Sequence, residues 1–360
     1  MTRILIAGGG TGGHIYPAIS IAQALKKKDP LLEVHFVGTT HGLEKKIVPR
    51  EGYPLHFILA GALNGVSVFR KIISLMLLPL GVVQSCILIL KLRPKTILGV
   101  GGYASGPTML AGFLLCRRLG IFEPNSYPGL TNRWLGRLVS DIFVNFEATK
   151  KFFRNAQVVG IPVRQELVSA EKVPSASSSN DPFRILIFGG SQGARGINKT
   201  VLEAVKRGGP WLQNSEIVHQ IGAADFFEVK AEYTKLGKKN IESHEFLYDM
   251  PLRYSWAHLV LCRAGASTLA ELAACHKASV LVPFPAASDN HQLRNAQSLE
   301  ERQAAIIIEQ KDFTPEKFIS IVEEFRKSPL KSAQLEEKIH KFYIPKCAEK
   351  IAEKLLKDNK

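Results

Sequence analysis

Arg3-Ile4-Leu5-Ile6-Ala7-Gly8-Gly9-Gly10-Thr11-Gly12-Gly13-His14 is an apolar run that breaks into glycines and then into a helix-like segment. Arg184-Ile185-Leu186-Ile187-Phe188-Gly189-Gly190 echoes it, and in the same register Gly193 echoes Gly12. Each copy reads as a buried β-strand, a turn whose glycines let the backbone approach a phosphate, and a helix whose N-terminal amides face that anion. A unit used twice predicts two similar domains. Further apolar runs at residues 34–37, 96–100, 142–144, 217–221, 259–262 and 279–282 alternate with helical stretches. The reading is therefore α/β, with two Rossmann-like parallel sheets covered on both faces. Ligands in such sheets sit beyond the carboxyl ends of the strands, so a cleft between the domains is the expected site. The Pro- and Ser-rich run at residues 174–182 reads as a flexible loop near the junction.

Length and composition agree. At roughly 150 residues per domain, 360 residues make two domains, and 46% hydrophobic with 22% charged residues suffices for a large core. Five cysteines without a close-spaced pair make neither a disulfide nor a zinc framework, which points to a reducing compartment. The first apolar run reaches glycine too early for a signal peptide and reads as a first strand. Lysine and arginine exceed aspartate and glutamate by 47 − 32 = 15, which favours anionic partners: nucleic acid, anionic lipid or a phosphorylated substrate. No stripe of basic residues interleaved with aromatics stands out, so no nucleic acid is expected. Residues 72–90 carry no charge and are flanked by Arg70, Lys71, Lys91, Arg93 and Lys95. Three readings stay open there: a spanning helix, a buried helix pair interrupted at Pro79 and Gly81, or an exposed apolar face that dips into a bilayer.

The first glycine turn formally matches G-x-G-x-x-G. A dinucleotide site would want an acid at the end of the second strand, which here ends Phe36-Val37-Gly38-Thr39-Thr40, so NAD is not expected. No Gly-Lys-Ser/Thr follows either, which removes a Walker A reading. His14 closes the turn at a helix start, where a near-neutral imidazole beside a bound pyrophosphate suits a general base, the alternative being a capping or packing histidine. Ser191 could give its hydroxyl and amide to a diphosphate. Cys262-Arg263-Ala264-Gly265-Ala266-Ser267-Thr268-Leu269-Ala270-Glu271 follows another apolar run and makes a further close-approach turn. Glu271 could accept from both ribose hydroxyls, or be an ordinary acid at a helix start.

Taken together, residues 8–17, 101–107, 125–132, 189–195 and 262–271, with Asp289-Asn290-His291-Gln292, resemble the MurG-type glycosyltransferases of bacterial wall synthesis over nearly the full length. The resemblance implies a GT-B fold: residues 1–162 as an acceptor- and membrane-side domain, 163–341 as a UDP-GlcNAc-binding domain, and 342–360 as a C-terminal helix returning to the first. It implies Ser191 on the diphosphate, a main-chain contact at Leu247 reading uracil, and Glu271 on the ribose. Gln292, Asn125 and the Ala266 turn, through residues Ala266, Ser267, Thr268, Leu269 and Ala270, would meet the sugar. Arg164 matches a donor-site arginine, and Thr11, Gly12 and Gly13 would line the acceptor side. Two blocks depart from the family: Phe122-Glu123-Pro124-Asn125 stands where His-Glu-Gln-Asn is common, and Ile161 stands where the family has asparagine. Glu123 is a second acid or base candidate, read in preference as structural. The implied reaction is inverting transfer of N-acetylglucosamine from UDP-GlcNAc to an undecaprenyl-diphosphate-linked muramyl acceptor, with His14 as base. No Asp-x-Asp occurs, so no metal clamp is assigned, no cofactor is required and Mg²⁺ is left unassigned. An anionic phospholipid surface, on the cytoplasmic face of the inner membrane, is the expected peripheral location.

Overall fold

The protein is described from a computed structural model covering residues 2–61, 67–168, 181–190 and 192–357. The loop expected at 174–182 and the Ser191 side chain thus fall wholly or largely outside the described residues. Contacts divide the chain into Met1–Val163 with Ala287–His291 and Ile344–Lys360, and Arg164–Ala286 with Gln292–Tyr343.

In the first unit, Ile4, Leu5, Ile6 and Ala7 have no exposed surface, as an uninterrupted apolar run requires when both faces of a parallel sheet are covered. They form β1 (Arg3–Gly8), joined by β2 (Glu33–Gly38), β3 (Leu55–Phe57), β4 (Thr96–Gly101), β5 (Arg118–Glu123), β6 (Asp141–Val144) and β7 (Ala156–Val158). The order is β3-β2-β1-β4-β5-β6-β7, and the pairs are parallel. Strand order reverses between β1 and β4, so the loops leaving these two strands flank a switch point. The helices include α1 (Gly12–Lys28), α2 (Glu44–Arg50), α3 (Val68–Leu92) and α4 (Ser105–Leu114). Helix α1 ends in Lys26, Lys27 and Lys28, cations suited to the negative end of its dipole.

The second unit repeats the plan with β8 (Phe183–Phe188), β9 (Ser215–Gln220), β10 (Ile241–His244), β11 (Leu259–Cys262), β12 (Ser279–Leu281) and β13 (Ile306–Ile307), in the parallel order β10-β9-β8-β11-β12-β13. Its helices include α5 (Arg195–Arg207), α6 (Met250–Trp256) and α7 (Ala266–Ala274). The sequence expectation of two Rossmann-like parallel sheets is met.

Helix α3 is one continuous element through Pro79, not a pair of core helices interrupted at Pro79 and Gly81. Its amphipathy is inverted. Its buried face is mostly small and polar: Ser74, Gly81 and Ser85 are buried with Ile89, Ser85 lies 3.3 Å from the Thr108 hydroxyl, and Oε1 of the exposed Gln84 accepts the Leu59 amide at 2.7 Å. Gly81 admits the neighbouring backbone, since a Cβ there would sit 2.2 Å from the Leu59 carbonyl. Outward stand Ile72, Leu75, Met76, Leu80, Val83, Ile87 and Leu90, each more than half exposed. Among the described residues α3 is the one helix long and apolar enough to cross a membrane, with 22% of an 18-residue apolar window within Lys71–Leu92 buried. Lys71, Lys91 and Arg93 are exposed at its ends; the Arg70 side chain lies outside those described.

The chain ends in α8 (Cys347–Lys357), which packs on α1 in the first unit. Ile351, Ala352 and Leu355 are fully buried, Arg118 donates to the Lys354 carbonyl at 3.0 Å, and Lys28 meets Glu353 at 2.6 Å. Leu355→Ala should therefore cost about 2–5 kcal/mol, and hydrogen exchange should show the loss in α1 and β5. Protection unchanged in those elements would contradict this packing.

Candidate active site

At the switch point of the first unit, two glycine turns meet backbone to backbone. The Gly9 amide donates to the Gly101 carbonyl at 3.1 Å. Gly101 and Gly102 have φ of 95° and 85°, in the left-handed region that glycine alone adopts freely. A Cβ on Gly102 would lie 2.2 Å from the Gly9 carbonyl oxygen, and one on Gly101 would lie 2.8 Å from Cε1 of His14. The His14 ring therefore lies against a position that has to be bare.

Thr11 is the exposed N-cap of α1, and its carbonyl accepts from the His14 and Ile15 amides. Gly12, Gly13 and His14 form the first helical turn, and the Gly12 and Gly13 amides, which have no acceptor within the helix, make up the positive end of its dipole. Nδ1 of His14 is enclosed, and the imidazole is half-buried. Burial pushes its pKa below 6.5, opposed by a hydrogen bond to the Val100 carbonyl. The ring is therefore neutral at pH 7.

Asn125 follows β5. Its amide and its Nδ2 both donate to Glu123 Oε1, at 2.9 and 3.1 Å, while Glu123 Oε2 accepts from the Gly129 amide and Asn132 Nδ2. Glu123 is thus a buried loop organiser with both oxygens occupied; burial raises its pKa against those four bonds. This is the structural role preferred on sequence.

In the second unit the turn after β8 leans on the turn after β9: a Cβ on Gly193 would lie 2.0 Å from the Ile221 carbonyl oxygen. The turn after β11 stands apart and starts α7 with Gly265 as N-cap. Ser267, Thr268 and Ala270 are partly exposed, whereas Ala266 and Leu269 are buried, which leaves only the main chain of those two for a ligand. Glu271 Oε2 accepts from the Tyr254 hydroxyl at 3.0 Å, and Oε1 lies 3.9 Å from Arg164. Burial raises the Glu271 pKa, offset by Arg164 and Tyr254. Two residues far apart in sequence, Arg164 and Glu271, are thus brought together. Leu247 is buried between exposed Phe246 and Tyr248, so only its main chain can reach a ligand; Gln292 Oε1 is engaged by the Phe284 amide at 2.9 Å.

Sequence reasoning passed over three residues. Tyr254 carried no pattern. Arg263 lies inside the quoted 262–271 block; it is buried, donates to the Val282 and Pro283 carbonyls and to Gln310, and burial lowers its pKa to about 10. Glu44 is the third, a buried acid that accepts the Gly10 and Thr39 amides.

The fold and its turns define a doubly wound α/β protein with phosphate-type turns in both halves. The Glycosyltransferase family 28 N-terminal domain matches residues 4–144 and the Glycosyltransferase family 28 C-terminal domain matches residues 184–355. A Bdellovibrio bacteriovorus protein is 48% identical over 98% of both chains, and a Myxococcus xanthus protein is 39% identical over 98% of this chain and 92% of its own. Both are named UDP-N-acetylglucosamine--N-acetylmuramyl-(pentapeptide) pyrophosphoryl-undecaprenol N-acetylglucosamine transferase. The crystal structure of Acinetobacter baumannii MurG superposes with a TM-score of 0.80 at 27% identity, covering 99% of this chain and 100% of that one. The chain belongs to glycosyltransferase family 28 and is a glycosyltransferase.

Proposed function

We propose that the enzyme transfers N-acetylglucosamine, with inversion, from UDP-GlcNAc to the 4-hydroxyl of the muramyl sugar of undecaprenyl-diphospho-MurNAc-pentapeptide, converting lipid I to lipid II. The observation that carries this is 48% identity over 98% of both chains to a protein named for that transfer. In the reaction the acceptor oxygen bonds to C1 of the donor sugar as the C1–O bond to UDP breaks. The hydroxyl proton goes to His14 and the electron pair leaves on the diphosphate. His14 suits the role because burial keeps it neutral beside a helix N-terminus. Thr11, Gly12 and Gly13 line the acceptor. On the donor, Glu271 takes the ribose, Ser191 the diphosphate, the Leu247 main chain the uracil, and Arg164, Asn125, Gln292 and the turn from Ala266 to Ala270 the remainder.

We further propose a peripheral location on the cytoplasmic face of the inner membrane, supported by the outward apolar face of α3 and the exposed cations at its ends. Membrane spanning is disfavoured because buried Ser74, Gly81 and Ser85 bind α3 to its own unit along one face.

With UDP-GlcNAc and a lipid I analogue, a lipid-linked disaccharide should form, and His14→Ala should lower kcat by about 10² to 10⁴ with donor affinity held within a few-fold. Activity needs the neutral ring, so it should fall as pH drops through an ionisation below 6.5, and that limb should vanish in the variant. An unaltered kcat and limb would reduce His14 to a cap. Glu271→Ala should raise donor KM more than it lowers kcat, because a ribose contact serves ground and transition state alike; equal use of a 2′-deoxyribose donor by the wild type would refute the contact. Flotation should show binding to anionic vesicles that salt weakens, at about 1 kcal/mol per basic group. Equal binding to neutral vesicles would remove the electrostatic part.

A further inference from the structure

Glu44, the first residue of α2, is 1% exposed and takes no part in the chemistry above. Three glycines enclose it, one from the turn after β1 and two from the end of β2 and its connection to α2. A Cβ at Gly9 would lie 2.4 Å from its Cδ, one at Gly38 2.5 Å from its Cγ, and one at Gly42 1.9 Å from its Oε2. The space is cut to this side chain, and any larger residue at those three positions would displace it. Within it the carboxylate is fully engaged. Oε2 accepts the Gly10 amide at 2.7 Å, and Oε1 accepts both the Thr39 amide, at 2.9 Å, and the Thr39 hydroxyl, at 3.0 Å.

Those bonds tie the end of β2 to the glycine turn after β1. Gly10 sits between Gly9, which is bonded to Gly101, and the helix start that carries His14, whose ring lies against Gly101. Carboxylate, turn, opposing turn and imidazole thus form one continuous series of contacts. A loop of consecutive glycines has little conformational preference of its own, so its shape has to come from a partner outside it. Glu44 is one such partner, acting on Gly10 beside the Gly9–Gly101 hydrogen bond.

We propose that Glu44 is a positioning residue for glycosyl transfer: by holding the Gly10 amide to Thr39 it fixes the glycine turn and with it the place of His14. This rests on the reading of His14 as the base. Glutamine at position 44 would keep the volume but turn an amide N–H₂ toward the Gly10 or Thr39 amide, donor against donor. Its loss of charge also reaches the ring. After burial, which lowers the His14 pKa, the Val100 carbonyl raises it, His291 lowers it and Glu44 raises it. Taking the Glu44 charge away therefore moves the ionisation further down.

The test compares wild type, His14→Ala, Glu44→Gln, Gly42→Ala and the Gly42→Ala/Glu44→Gln double variant in full-length enzyme, by kcat, donor KM, pH profile and melting temperature. Glu44→Gln should lower kcat by about 10- to 100-fold, the scale of a misplaced catalytic group, with donor KM within a few-fold and the acidic limb moved to lower pH. Gly42→Ala adds no ionisable group and should lower kcat by displacing the same carboxylate. The double variant should be no worse than the more severe single, because both act through one side chain. Loss of kcat and of the limb in His14→Ala, with both unchanged in Glu44→Gln, would overturn the proposal and leave the base assignment standing. A kcat loss in Glu44→Gln that follows melting temperature with the limb unmoved would also overturn it. Unaltered kcat and limb in His14→Ala would fail the base assignment itself. Should Glu44→Gln not fold, Gly42→Ala and Thr39→Val decide, and wild-type kcat in both overturns the proposal.

Discussion

Backbone approach at the β1/β4 switch point is the constraint on which the first unit depends. Reversal of strand order opens a crevice there, and two bare turns fill it, joined by the Gly9–Gly101 hydrogen bond. Side chains at Gly101 or Gly102 would collide with His14 or with the Gly9 backbone, so their absence permits both the close approach and the seat of the ring. The second unit solves the same problem differently. Its first turn leans toward β9, through Gly193 and Gly222, and leaves the turn after β11 to begin α7 with Glu271 held by Tyr254. Two copies of one motif thus present different chemistry: an imidazole at one switch point, a carboxylate at the other.

Helix α3 reverses the usual partition. Its small and polar residues pack inward while large apolar side chains stay in water, each forgoing on the order of 1 kcal/mol that transfer to an apolar medium would return. Such a helix is held to its unit by close approach and hydrogen bonds at Gly81, Gln84 and Ser85, and by few large buried apolar side chains. Its outer face is free to meet an apolar surface without unfolding anything beneath.

Much of this was legible in the sequence. The doubled strand-turn-helix unit gave both sheets, because uninterrupted apolar runs ending in glycine have few other structures available, and the six apolar runs coincide with β2, β4, β6, β9, β11 and β12 to within two residues. Strands β3, β5, β7, β10 and β13 escaped. Strand β5, Arg-Leu-Gly-Ile-Phe-Glu, has charged ends and a central glycine, so its burial depends on neighbours that no local pattern reveals. Continuity of α3 escaped for a related reason: Pro79 and Gly81 read locally as breaks, yet Gly81 serves packing against Leu59. At the site, His14 and Glu271 could be singled out because each adjoins a recognisable turn. Tyr254 and Glu44 act across the fold, on partners 17 and 34 residues away, a relation that spacing alone does not encode.

A further regularity joins two of the buried carboxylates of the first unit, Glu44 and Glu123. Loops leaving parallel strands carry amides with no ladder partner, and burying them unpaired costs about 1–3 kcal/mol each. Glu44 takes two such amides, Gly10 and Thr39, and Glu123 takes two more, Asn125 and Gly129. Glu123 ends β5 and Glu44 opens the helix after β2, in a chain of net charge +15. Each acts as an internal cap that spends its lone pairs on the scaffold. No carboxylate caps the Gly12 and Gly13 amides that open α1 among the described residues, so the positive end of that helix suits an anion from outside, which is the property a diphosphate-bearing substrate requires.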